Sequence, residues 1–173
     1  MDLNKYKAKI REVDNFPIPG VKFRDITPLL EDQKAFREII DELTAFFKDE
    51  KVDKVVGIDA RGFLLAAPVA YLLGAGQAIM RKKGKLPHQT IVEEFDLEYG
   101  RTKMEIHIDA IKKGERVIII DDVLATGGTA GAAVRMVNQL GGEIVGLGFL
   151  LEIGGLGGRK QLRDYPIRSL ITY

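Results

Sequence analysis

The sequence contains no cysteine and no tryptophan, and only two histidines, His88 and His107. The missing thiols exclude a disulfide framework, a Cys-ligated zinc or iron–sulfur site and a thiol nucleophile. The two histidines are too far apart for a helical HExxH pair and too few for a His-rich metal site. Neither receives a role, and His107, alternating with Ile106 and Ile108, is expected to face solvent on a strand. An excess of either charge is also lacking, with 26 Lys plus Arg against 25 Asp plus Glu and a net charge of +1. That balance argues against a protein that holds nucleic acid through bulk charge. No GxxxxGK[ST] occurs, and no GxGxxG follows the first buried strand, so neither a P-loop nor a dinucleotide fingerprint is present. No secretory h-region is seen. The stretch 63–80 is apolar but is broken by Pro68, Gly74, Gly76 and Gln77. It reads as a buried helix over 62–73 and a strand over 77–80 rather than a membrane span. A cytoplasmic protein, with neither membrane nor nucleic acid as partner, is expected.

What is present is ordinary globular material: 173 residues, 46% hydrophobic and 29% charged, enough for one domain over 1–173. Leu3, Tyr6, Ile10 and Val13 recur at helical spacing and predict a short opening helix. Pro17, Pro19 and Gly20 break it into an irregular loop. Thr27-Pro28 reads as an N-cap with Pro at N1. Phe36, Ile39, Ile40, Leu43 and Phe47 mark an amphipathic helix ending near Lys51. The period then changes. Continuous apolar runs at 55–58, 77–80, 117–120 and 143–151 read as buried strands, with a Gly-opened helix over 127–140 and a last short strand over 168–172. Residues 90–110 alternate with period two around Tyr99-Gly100-Arg101 and predict a charged hairpin or excursion. The alternation of strands and helices predicts an α/β fold, a mostly parallel twisted sheet flanked by helices.

Ligands of such sheets bind at the carboxyl ends of the strands, and three strand ends carry candidate chemistry. Asp121-Asp122 is followed by Ala125-Thr126-Gly127-Gly128-Thr129. Simple capping would put one Asp in solvent and the other at a helix N-cap. The richer reading is a phosphate cradle of backbone N–H groups, hydroxyls and glycines at a helix N-terminus, beside two carboxylates that accept hydrogen bonds from a sugar diol. Asp59-Ala60-Arg61-Gly62 is a second strand-to-helix turn, whose arginine can pair with a phosphate through two N–H groups or be a plain surface residue. Arg81-Lys82-Lys83-Gly84-Lys85 is a solvated cationic run, or one that neutralises an anion in its own site or a neighbour's.

The run from Val117 to Thr129 resembles the phosphoribosyl pyrophosphate (PRPP) motif of type I phosphoribosyltransferases. Four further segments resemble the adenine phosphoribosyltransferases of that family: Phe16-Pro17-Ile18-Pro19-Gly20-Val21-Lys22-Phe23-Arg24-Asp25-Ile26-Thr27-Pro28-Leu29-Leu30, Gly57-Ile58-Asp59-Ala60-Arg61-Gly62-Phe63, Arg81 to Pro87, and Leu97-Glu98-Tyr99-Gly100. The resemblance implies transfer of the 5-phosphoribosyl group from PRPP to N9 of adenine, giving AMP and pyrophosphate. It implies ribose binding by Asp121 and Asp122, which would also favour the oxocarbenium-like transition state, and 5′-phosphate binding by Ala125, Thr126, Gly127, Gly128 and Thr129. Pyrophosphate would fall to Asp59, Ala60, Arg61, Arg81, Lys82 and Lys85. Val21, Phe23 and Arg24 would meet the base within an N-terminal hood over 1–32. Glu98 would be the general acid/base and Tyr99 a lid residue on a flexible catalytic hairpin. Mg²⁺ would be held mainly by PRPP and pyrophosphate, with no protein metal cage. A homodimer is expected, with 61–80 apolar enough to supply an interface. Glu152, ending a strand, is expected to position a nearby loop, and 156–158 to be a connector. Two other functions remain open at this point: transfer to another purine base, and PRPP sensing by a non-enzymatic regulator.

Overall fold

The computed structural model describes residues 4–97 and 100–173. A 3₁₀ turn, Asn4–Lys9, leads into β1 (Arg11–Asp14), which pairs antiparallel with β2 (Lys22–Asp25) in a small sheet of its own. The predicted opening helix is therefore corrected. Tyr6 and Ile10 do reach the core, as the helical spacing required. Val13, however, sits on β1 opposite Phe23, because ladder pairing with β2 captures it. α1 (Thr27–Leu30) starts one residue earlier than expected, with Ile26 at its N-cap. The capping role given to Thr27 passes to Asp25, whose Oδ1 accepts from the Thr27 N–H at 3.0 Å and hydroxyl at 2.8 Å.

α2 (Gln33–Phe47) is capped by Asp32, which accepts from the Ala35 N–H at 2.8 Å. It ends four residues short of the expected Lys51. Then follow β3 (Lys54–Ile58), α3 (Arg61–Leu73), β4 (Gly76–Lys82), β5 (Thr90–Leu97), β6 (Gly100–His107), β7 (Arg116–Leu124), α4 (Gly128–Gln139), β8 (Glu143–Glu152), a short α5 (Gly158–Gln161) and β9 (Ile167–Thr172). Seven strands form one sheet in the order β5-β6-β4-β3-β7-β8-β9. β4, β3, β7, β8 and β9 run parallel, and the β5–β6 hairpin joins antiparallel at the β4 edge. This is the mostly parallel α/β sheet that the sequence predicts.

Period two along β7 divides the core. Ile118 and Ile120 face α2 and α3 with Leu43, Phe47, Leu65 and Val69. Val117 and Ile119 face α4 with Ala133, Met136 and Val137. A central strand buried on both faces must be apolar throughout. Two carboxylates inserted into such a strand are therefore expensive to bury. Among the described residues no helix is long and apolar enough to cross a membrane.

Candidate active site

The apolar run of β7 was expected to end at Ile120, but the strand continues through Asp121 and Asp122 to Leu124, paired with β8 up to Glu152. The ladder thus holds both carboxylates rigidly. Neither is in solvent: Asp121 is 8% exposed and Asp122 7%. Asp121 Oδ1 accepts from the Asp122 N–H at 2.8 Å. The first turn of α3 closes over it so tightly that a Cβ on Gly62 would lie 2.8 Å from the same oxygen. Asp122 Oδ2 lies 2.7 Å from Arg61 Nε. That contact is an ion pair without a directed hydrogen bond, which leaves Oδ2 a buried acceptor with no donor aimed at it. Burial, reinforced by the neighbouring Asp122 charge, pushes the Asp121 carboxyl well above the usual range. Burial also raises Asp122, against the opposing pull of Arg61.

Beyond β7 the chain turns through residues 125–129 into α4. Gly127 occupies the N-cap at φ +88°, in the left-handed region that glycine adopts without strain. Its carbonyl accepts from the Gly131 N–H at 2.7 Å. A cavity of about 380 Å³ opens over this loop, lined by residues 123–130 together with Pro17, Val21, Phe23 and Arg61. A second, of about 410 Å³, shares Val21, Phe23, Arg61, Val123 and Ala125 with it and adds Arg24, Ile153 and Leu156. The two are halves of one cleft between the β1–β2 segment and the ends of β7 and β8. Val123, Ile153 and Leu156 were not singled out in the sequence. They sit in apolar or Gly-rich runs whose local pattern says nothing about a cleft. Residues 156–158, expected to be a connector, form part of that wall and the start of α5.

Within the N-terminal segment the Phe16 and Phe23 rings pack edge to face at 5.0 Å. The Arg61 guanidinium lies 4.7 Å over the Phe23 ring and donates to the Arg24 carbonyl at 3.4 Å. The Arg24 side chain pairs with Glu12 and stacks on Tyr173. The Val21 N–H and carbonyl close the preceding loop through Ile18 and Phe16. Arg61 thus joins the Phe23 ring to the Asp122 carboxylate.

At the end of β3 the Asp59–Ala60 peptide is cis, and Asp59 accepts from Arg81 Nε at 3.1 Å. Arg81 also reaches the Lys85 carbonyl, and the side chains of Lys82 and Lys85 are exposed. The turn is organised by Glu105, an acid on the charged hairpin that nothing in the sequence set apart. It is buried, and it accepts from the N–H groups of Lys85 (2.8 Å) and Leu86 (2.9 Å) and from the Thr90 hydroxyl (3.2 Å). Burial pushes its carboxyl up, but these donors together outweigh it and hold it low. His107 corrects the solvent-facing expectation. It is half-buried with Nε2 enclosed, packed edge to face on His88 at 5.9 Å. Glu98 and Tyr99 lie outside the described residues. The strands flanking them pair up to Leu97 and Gly100.

The phosphoribosyl transferase domain family matches residues 29–171. An adenine phosphoribosyltransferase of an Anaeromyxobacter species is 54% identical over 167 residues, covering 96% of this chain and 94% of that one. This chain belongs to the adenine phosphoribosyltransferase family. Its fold agrees with that assignment. The crystal structure of adenine phosphoribosyltransferase from Rhodothermus marinus superposes with a TM-score of 0.95 at 48% identity, covering 99% of this chain and 98% of that one. The enzyme from Giardia lamblia, crystallised with 9-deazaadenine, gives 0.94 at 35% identity, with 100% and 98% covered. A phosphoribosyltransferase needs a place for a sugar diol between a phosphate and a base. The cleft runs between a Gly-rich helix start and an aromatic, apolar wall, with Arg61 in its lining joined to the buried Asp122.

Proposed function

We propose that this protein transfers the phosphoribosyl group of PRPP to N9 of adenine, releasing pyrophosphate and forming AMP. The observation that supports the reading is a cleft between the 125–129 loop and the Phe23 wall, which Arg61 lines while holding the buried Asp122 carboxylate directly behind it. In this reading the ribose 2′- and 3′-hydroxyls donate to the two carboxylates, with Asp122 Oδ2 the open acceptor. The N–H groups and hydroxyls of residues 125–129 take the 5′-phosphate. As pyrophosphate leaves the anomeric carbon, positive charge grows on the ring, and preorganised carboxylates in a water-poor cleft favour it. Adenine enters along Val21, Phe23 and Arg24, its N9 directed at the sugar. Glu98 exchanges the proton at N7, and Tyr99 covers the ring to exclude water. Asp59, Ala60, Arg61, Arg81, Lys82 and Lys85 take the pyrophosphate, with Arg61 and Arg81 leaving Asp122 and Asp59 to do so.

The donor chemistry also fits Mg²⁺. Asp122 Oδ2 is a hard, buried oxygen that holds only the Arg61 ion pair, with no hydrogen bond directed at it. Among the described residues no group of three or more acidic or His side chains gathers into a cage. Asp121 and Asp122 would therefore share an ion held chiefly by substrate oxygens. When bound, that ion neutralises charge on the departing pyrophosphate. We read the chain as a homodimer joined through α3, where Leu64 (52% exposed), Tyr71 (84%) and Leu72 (51%) line one apolar face. Sedimentation at micromolar concentration tests this: a monomer would remove it.

The deciding experiment follows pyrophosphate release from PRPP and Mg²⁺ with adenine, hypoxanthine, guanine or xanthine. Adenine is expected to be used far better than the oxo-purines, which present a carbonyl where adenine presents its amino group. Equal use of an oxo-purine would move the assignment to another base. PRPP binding without turnover on any purine would move it to a sensor.

A further inference from the structure

From Glu152 to Arg159 the chain reads Glu-Ile-Gly-Gly-Leu-Gly-Gly-Arg. Four glycines in so short a span carry a high ordering cost, so the segment holds one shape only if its ends are tied. One bidentate side-chain pair joins them directly, beside the backbone bonds that Glu152 and Gly154 make with Tyr173: Arg159 Nε donates to Glu152 Oε1 at 3.0 Å and Nη2 to Oε2 at 2.6 Å. The same guanidinium reaches the Ile167 carbonyl at 3.3 Å and the Ser169 hydroxyl at 3.4 Å. The closed segment then touches both halves of the cleft. The Ile153 N–H donates to the Leu124 carbonyl at 2.9 Å and the Gly158 N–H to the Ala125 carbonyl at 3.1 Å, at the entry to the 125–129 loop. Ile153 and Leu156 line the other half with Phe23.

We infer that Glu152 and Arg159 are a positioning pair, which sets the 125–129 loop and the Leu156 wall together and so couples PRPP affinity to base affinity while touching neither ligand. This rests on the reading that residues 125–129 take the 5′-phosphate. The Arg159 side chain is half exposed although Glu152 is largely covered, and an ion pair open to water on its arginine side adds only modestly to global stability. Loss of the pair should therefore be felt in binding before it is felt in melting. The fork geometry also separates arginine from lysine, whose ammonium makes a point contact only.

The test compares Arg159→Gln, Arg159→Lys and Glu152→Gln with the unmodified enzyme in kcat, in KM for PRPP and for adenine, in AMP affinity by calorimetry and in melting temperature. Arg159→Gln and Glu152→Gln should raise both KM values about tenfold, the scale of a loop displaced by a fraction of an ångström, with kcat within about threefold. Arg159→Lys should recover part of the loss, and melting should move by no more than ~3 °C. Both KM values within twofold of the unmodified enzyme would overturn the inference, whatever the melting temperature does. A rise confined to one substrate would overturn the coupling. Failure of the unmodified enzyme itself to bind AMP would instead strike the reading of the phosphate loop, which keeps the two failures distinct.

Discussion

β3 and β7 are neighbours in the sheet, yet they meet the cleft with different chemistry. Beyond β7 come Ala125, Thr126, Gly127, Gly128 and Thr129, without a charged side chain among them. Such a loop offers fixed N–H donors that need no rearrangement to meet an anion. Beyond β3 come Asp59 and Arg61, whose charges are already matched, Asp59 by Arg81 and Arg61 by Asp122. An anion arriving there must displace existing partners, which costs part of its binding energy. The difference teaches that a loop of backbone donors carries no charge to be neutralised, whereas a charged turn pairs with its own neighbours. It also explains how two carboxylates can sit in a buried strand at all: Arg61 lends one of them a countercharge.

The sharpest test of this contrast removes the charge at its centre. Asp121→Asn combined with Asp122→Asn should lower turnover by about 10³-fold and weaken PRPP binding as well, in line with lost electrostatic stabilisation of a cationic transition state. Steady-state kinetics checks this, and turnover within tenfold would end the charge-stabilising role. Glu98→Gln lies outside both strand ends and should cost about 10²-fold in turnover while PRPP affinity is nearly kept. Normal turnover would remove Glu98 from the reaction.

The 125–129 loop should be intolerant of substitution. A Cβ on Gly127 would meet Gln161 Oε1 at 2.9 Å and Gly158 Cα at 3.0 Å, at a φ of +88°. Gly127→Ala should therefore lose about tenfold in AMP affinity and on the order of 1–2 kcal/mol of stability, measured by calorimetry and denaturation. The self-neutralised turn should be more forgiving. Arg81→Gln, which breaks a partly exposed pair, should change stability by less than about 1 kcal/mol and KM for PRPP only severalfold. A larger loss than at Gly127 would reverse the comparison.

The smallest effect expected is on pH dependence. Burial holds Asp121 and Asp122 above the usual carboxylate range. At these two carboxyls the folded chain therefore binds more protons than the unfolded one from about pH 4 upward, until the raised values are passed, and their contribution to stability falls as pH rises across that window. Carboxylates held low act in the opposite sense: Asp25 by the Thr27 N–H, Glu152 by Arg159. Their contribution is lost as pH falls below the ordinary range and is complete by about pH 5. Asp121→Asn should accordingly raise the melting temperature at pH 8 by ~2–4 °C, the shift of about 1 kcal/mol in a chain of this size, and flatten its decline between pH 5 and 8. Identical melting profiles would refute the buried-charge cost.

Much of the central sheet was legible because a strand buried on both faces must be continuously apolar, as at 55–58 and 117–120. The start of the chain was less so. Tyr6 and Ile10 have a spacing that a 3₁₀ turn satisfies as well as an α-helix, and only pairing with Phe23 places Val13 on a strand. The 121–129 motif announced itself because carboxylates and glycines adjoin a run of four β-branched residues. Glu105 did not, since one acid in an alternating charged strand looks the same whether it faces water or two backbone N–H groups.

The order of periodicities by itself determined a parallel α/β sheet, and the ordered motifs determined its family and where along the chain the chemistry would lie. Tertiary structure alone decided that Arg61 links Phe23 to Asp122, that Glu105 holds the basic turn, and that Ile153 and Leu156 wall the cleft. Periodicity is a local property of side-chain direction. Partnerships across the sheet depend on which strand ends the packed core brings together, and no local pattern records that.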